Sequence, residues 1–264
     1  MMTNRPLPDL ATVIAIALVA YAASNVLHEA LGHGGACIAL GGKPLVLSSV
    51  HFECGEEAMS DGGRRLVSAA GTIVNFIAGA LGFMAFKTAR RSHTAYFLWL
   101  FTTLNLLMGA GYFLFSGVGN IGDWALVMRG IVSPAIWRPA MAIFGGALYF
   151  LLARQAAQWL GTLVGSDDLV MKRARRLTIP AYFAGGLLYC ISGLFNPLGP
   201  IVIAISAAAA SFGGASGLLW LTQFLRGGDH TAEAVELGRS YGWIIGGCIA
   251  SAIFIAILGP SIHF

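Results

Sequence analysis

Apolar stretches of roughly 20 residues, the length an α-helix needs to cross the hydrocarbon of a bilayer, alternate along this chain with short polar connections. About seven can be read. They run from about Leu10 to Leu40, Leu66 to Phe86, Ala95 to Val118, Ala140 to Val164 and Ile179 to Phe195. The sixth follows Asn196-Pro197 and ends near Leu225, and the seventh covers about Gly242 to Ile262. Backbone groups in hydrocarbon find no water, so single segments that cross it must be helices. The composition agrees: 57% of the 264 residues are hydrophobic and 11% charged, against about 25% charged in a soluble domain. The expected fold is therefore an all-α polytopic membrane bundle. The first stretch is too long for a cleavable signal peptide and has His28 and Glu29 inside it.

The net charge of +4 is small, and the basic residues sit in short runs between apolar segments. This pattern fits membrane orientation better than nucleic-acid binding, and no nucleic-acid partner is expected. One set of connections holds Lys87, Arg90, Arg91, Lys172, Arg173, Arg175, Arg176, Arg226 and Arg239, with Arg5 near the start. The other set holds Lys43, Arg64, Arg65, Arg129 and Arg138, diluted by acids. Cytoplasmic loops are enriched in lysine and arginine, so the first set predicts an N-terminus inside and a C-terminus outside. Between the first two stretches, Leu45 to Phe52 alternates like a short β-strand. Such a segment is tolerated at membrane depth only against protein or a cavity. The four cysteines form no CxxC and read as apolar filler, with no bridge assigned.

Ionisable residues inside a spanning segment are functional candidates, because their burial in lipid is costly. HEALGH, residues 28 to 33, places His28, Glu29 and His33 in one short stretch. An H-E-x-x-H helix presents two histidines to one zinc ion, but these are one residue further apart. On a regular α-helix the two would diverge by roughly 140°. Two arrangements restore a site. A π-bulge realigns His28 with His33 and leaves Glu29 free to act as a base. Alternatively, Glu29 and His33 share a face of a regular helix and are both ligands. The bulge is preferred.

A zinc hydrolase site needs a third protein ligand. Asp123 in GNIGDW closes the third stretch, which runs parallel to the first and reaches the same membrane face. Asp167 and Asp168 lie on the opposite side. Gly71 and Asn75 share a face of the second stretch; Asn75 is a candidate donor to a substrate carbonyl or to the strand-like segment, while packing is expected for Asn105. His51, Glu53 and Cys54 read as a solvated loop rather than auxiliary ligands.

In this order the motifs resemble the site-2-protease-type intramembrane metalloproteases, the M50 peptidase class, over about residues 20 to 125. The resemblance implies a metalloprotease-like core in residues 1–125, with further helices of the same membrane domain in residues 126–264. It implies a Zn²⁺ cofactor held by His28, His33 and Asp123, with Glu29 as general base. Gly71, Asn75 and Ser49 would contact the substrate, and the Leu45–Phe52 strand would align a transmembrane protein unwound for cleavage. The expected function is hydrolysis of peptide bonds within the membrane. A non-catalytic scaffold or small-solute carrier is the alternative, with Asn196-Pro197 as a possible helix break.

Overall fold

The computed structural model describes residues 6–57, 59–199, 203–225 and 234–264. Arg5 and Arg226, which enter the charge bias, lie outside them. Helix α1, Leu10–Ala39, opens with the Asp9 carboxylate accepting from the Thr12 backbone N–H at 2.9 Å. Strands β1, Lys43–Leu47, and β2, Phe52–Gly55, follow as an antiparallel hairpin. Next come α2, Asp61–Thr88, and α3, Ser92–Gly119, then a short α4, Asp123–Met128. Helix α5 is Pro134–Val164 and α6 is Val170–Gly193. A π-helix, Ile203–Gly213, is followed by short helical turns at Gly217–Trp220 and Leu221–Phe224. Helix α7, Tyr241–Leu258, leads to β3, Ile262–His263.

Five of these helices, α1, α2, α3, α5 and α7, are long and apolar enough to cross a membrane. Their outward faces suit lipid. On α2, Ile73, Ile77, Leu81 and Met84 form an exposed stripe at helical spacing, and on α7 Ile245, Ile249, Ile253 and Ile257 do the same. Two of the seven expected spans are not among these five, which were found among the described residues. Helix α6 begins with Lys172, Arg173, Arg175 and Arg176 in its first two turns, which lowers its apolarity. The sixth stretch, whose residues 200–202 lie outside the described ones, is interrupted at Gly214–Ser216.

The interruption is held by one side chain. The Tyr149 hydroxyl of α5 donates to the Gly214 carbonyl at 2.8 Å and accepts from the Gly217 N–H at 2.7 Å. Irregular backbone survives at membrane depth when its polar groups are satisfied in this way.

The connections gather at two ends. At one, the Asp9 N–H meets the Leu237 carbonyl, Arg176 meets the Pro8 carbonyl, and His93 meets the Gly238 carbonyl. At the other lie the hairpin, the loop before α4 and the C-terminal strand.

The single strand expected over Leu45–Phe52 is instead two strands and a turn. The Ser48 hydroxyl accepts from the N–H groups of Val50 and His51 at 3.2 and 3.0 Å, and this local capping reverses the chain. The sheet order is β2-β1-β3, so β1 is central and paired on both edges. Cys37 and Cys54, expected as unpaired filler, form a disulfide that ties the end of α1 to β2. Their separation of 17 residues makes this crosslink worth about 3 kcal/mol by loop closure.

Candidate metal centre

Residues Leu27–Gly34 of α1 form a π-helix, with ordinary α-helix on either side. The extra residue of the turn brings i and i+5 to one side of the helix. His28 and His33 therefore converge, and their Nε2 atoms lie 3.2 Å apart. The regular-helix alternative, with Glu29 and His33 on one face as the pair, does not form.

Asp123 reaches them from across the bundle. The chain leaves α3 through Asn120 in the left-handed conformation and passes Gly122 at φ +81°. This tight turn starts α4 with Asp123 facing α1. Two contacts to α2 hold the short helix: the Trp124 indole N–H donates to Thr72 Oγ1 at 3.1 Å, and Arg65 donates to the Val127 carbonyl. Asp123 Oδ2 then lies 3.4 Å from His28 Nε2 and 3.5 Å from His33 Nε2.

The triangle can be tested against a metal. Zinc bonds of 2.0–2.2 Å arranged tetrahedrally place neighbouring ligand atoms about 3.3–3.6 Å apart, close to all three separations. The protons are also accounted for. His28 Nδ1 lies 2.5 Å from the Asn75 side-chain carbonyl, and His33 Nδ1 lies 2.7 Å from the Val67 carbonyl. Both partners only accept, so each Nδ1 carries a proton, and a neutral ring presents a lone pair at Nε2. Asp123 Oδ2 is sealed from solvent and has no hydrogen-bond partner. Three acceptor atoms aimed at one another repel unless a cation or a proton sits between them. Among the described residues this is the group of His, Cys, Asp and Glu able to hold a metal ion.

The amide of Asn75 is oriented in turn. Its Nδ2 donates to Asn105 Oδ1 at 3.1 Å; Asn105 Nδ2 donates to Ser24 Oγ at 2.9 Å, and Ser24 donates to the Ala20 carbonyl at 2.8 Å. Asn75 thus steadies His28, and it also lines the cavity. Asn105, expected to pack, sets the direction of that amide.

Gly71 makes room for the two candidate ligands. A Cβ there would lie 2.6 Å from both His28 Cε1 and His33 Nε2. Gly32, inside the π-turn, meets the same segment from the other side, where a Cβ would come within 2.6 Å of Gly71 Cα. The paired glycines let α1 and α2 touch at the level of the imidazoles.

Around the cluster lies a cavity of about 720 Å³. Glu29, buried at 6% exposure, lines it together with Ser49, His51 and Cys54. The Ser49 backbone is fixed by Asn25, whose amide donates to its carbonyl at 3.0 Å, and by an N–H bond to the Leu258 carbonyl at 2.9 Å. Its hydroxyl is buried without a partner. Glu53 pairs with His51 at 3.5 Å, away from the ligand triangle. Asp167, on the other end of the bundle, is bound by Arg173 at 2.6 Å, which holds its carboxyl below the usual carboxylate range.

Sequence reasoning missed Tyr112 of α3. Its ring stacks on the His28 imidazole, with centroids 4.5 Å apart and planes 10° from parallel. One tyrosine in an apolar helix carries no signal of that contact. Comparison of the chain with protein-family models, curated proteins and solved structures finds no match.

Proposed function

We propose that the protein is a zinc-dependent endopeptidase that cleaves membrane-embedded protein substrates. The observation that carries this reading is the convergence of His28 Nε2, His33 Nε2 and the partnerless Asp123 Oδ2 at tetrahedral ligand spacing beside a buried glutamate. Zinc bound by three protein ligands with a fourth position open polarises a carbonyl and makes water a nucleophile near neutral pH. Glu29 follows the first ligand in sequence and lies in the same cavity, outside the ligand triangle. Its role is to take a proton from the attacking water and return it to the departing amine. The Nδ1 partners fix both rings in the tautomer that presents Nε2 to the ion. The resemblance of HEALGH, Gly71-x-x-x-Asn75 and Asp123 to the M50 peptidase pattern supports the same assignment.

Elemental analysis of chelator-free protein should find about one zinc per chain, and His28→Ala should abolish it. Protein purified without any divalent metal, and unable to take up zinc on titration, would remove the basis of the reading.

A second reading, a carrier of a small solute or ion, is favoured by one observation. The interrupted segment around Gly213 and Gly214 lines the same cavity as the ligand triangle, and discontinuous helices mark carrier sites. Zinc-stimulated flux into proteoliposomes, with no peptide cleavage, would establish it in place of the peptidase.

The site belongs on the extracytoplasmic side of the cell membrane in this proposal, with the N-terminus inside and the C-terminus outside. More of the described basic residues lie in the connections at the opposite end than at the site end. The Cys37–Cys54 disulfide lies beside the site, and disulfides persist in oxidising compartments. A reporter joined after Phe264 should show extracytoplasmic activity; cytoplasmic activity from a stably inserted fusion would reverse the orientation.

A further inference from the structure

Hydrolysis of an amide places negative charge on the former carbonyl oxygen, and a positioned hydrogen-bond donor lowers that barrier. The Asn75 amide has its carbonyl on His28 and donates to Asn105. Ser24 donates to the Ala20 carbonyl, Asn25 donates to the Ser49 carbonyl, and the Ser49 hydroxyl is sealed from the cavity.

Tyr112 differs from these groups. It is half-buried, lines the cavity, and lies flat against the ring of a candidate ligand. Three other tyrosines of the bundle spend their hydroxyls on backbone, Tyr96 on the Leu177 carbonyl, Tyr149 on Gly214 and Tyr189 on Tyr21, and the Tyr21 hydroxyl is sealed in the core. The Tyr112 hydroxyl has no hydrogen-bond partner among the described residues, and is not sealed as the Ser49 hydroxyl is. Glu29, His28, His33 and Asp123 line the same cavity. A phenol keeps its proton at neutral pH and can donate.

We propose that Tyr112 is a catalytic residue: its hydroxyl donates a hydrogen bond to the oxygen of the scissile carbonyl as charge develops there. The inference rests on the peptidase reading. Water oxygen bonds to the carbonyl carbon, and the C=O π pair moves onto oxygen, where Tyr112 meets it without giving up its proton. Glu29 takes the proton of the water. The pair returns to re-form C=O as the C–N bond breaks, and the proton held by Glu29 goes to the leaving nitrogen. Stacking on His28 fixes the plane in which the phenol oxygen lies, so the donor is placed before the substrate arrives.

Tyr112→Phe keeps the ring and its stacking and removes only the hydroxyl. Two probes test it: a quenched fluorogenic apolar peptide in detergent micelles, and a phosphinic pseudo-peptide of the same sequence with tetrahedral phosphorus at the scissile position. The variant should lose about 100-fold in kcat, with KM changed little, and should bind the phosphinate weaker by a similar factor. Zinc per chain should be unchanged. Turnover and phosphinate affinity both within about threefold of wild type would overturn the role. Loss of zinc from the variant would also overturn it, marking the hydroxyl as a support for the metal site. If wild-type protein carries zinc yet neither cleaves the peptide nor binds the phosphinate, the peptidase reading itself fails and takes this inference with it. Cleavage by wild type with an unimpaired Tyr112→Phe removes the inference alone.

Discussion

Glu29→Gln should reduce peptide hydrolysis by about 10²- to 10⁴-fold, the usual contribution of a positioned general base, while the protein keeps its zinc. Glutamine has the size and shape of glutamate, so the π-turn and the cavity wall are preserved. The amide cannot take a proton from water. Glu29 lies outside the ligand triangle, so its charge is not required to hold the ion. Single-turnover cleavage measured beside metal content separates base from ligand. A variant that loses zinc together with activity would make Glu29 a ligand, and one that cleaves at the wild-type rate would remove it from the chemistry.

Gly71→Ala should be as damaging by a different route. The new methyl would meet His28 and His33 at 2.6 Å. Neither ring can turn away cheaply, because Asn75 holds one Nδ1 and the Val67 carbonyl the other. The alternative is to push α2 off the π-turn, which Gly32 has brought into backbone contact with Gly71. Overpacking of this kind costs about 1–3 kcal/mol in stability, and displaced ligands should weaken zinc binding by at least about 100-fold. Gly62→Ala on the same helix is the control, since its Cβ would meet nothing nearer than 3.9 Å. Competitive titration with a zinc chelator reads both variants. Equal affinity in Gly71→Ala and wild type would show that the imidazoles do not occupy the positions described.

The ligand triangle was legible in the sequence because histidine and carboxylate are costly in apolar helices and therefore stand out. The five-residue spacing in HEALGH also carried its own geometry, because a regular helix would separate the rings and a π-turn aligns them. Gly71 and Asn75 were visible as a pair, but spacing gives a shared face and not a direction. Only the fold shows that the amide points at His28 and that the glycine makes room for both rings. The strand was misread over Leu45–Phe52 because alternation continues through a turn set by the Ser48 side chain. The disulfide was illegible because its partners meet only after the hairpin folds back on α1. The broken sixth segment looked continuous because alanine, glycine and serine keep it apolar through the interruption.

The hairpin beside the metal helix receives its third strand from Ile262–His263, with the Phe264 N–H bonded to the Leu45 carbonyl and the Ser49 N–H to the Leu258 carbonyl. These pairings join the second connection of the chain to its last described residues. A growing chain therefore makes α1 through α6 before the sheet beside its own cavity can be completed. Contacts of such long sequence separation form late, because their loop entropy must be overcome first. On the peptidase reading that order is a safeguard in time: the sheet beside the candidate site is incomplete while the helices are still entering the membrane.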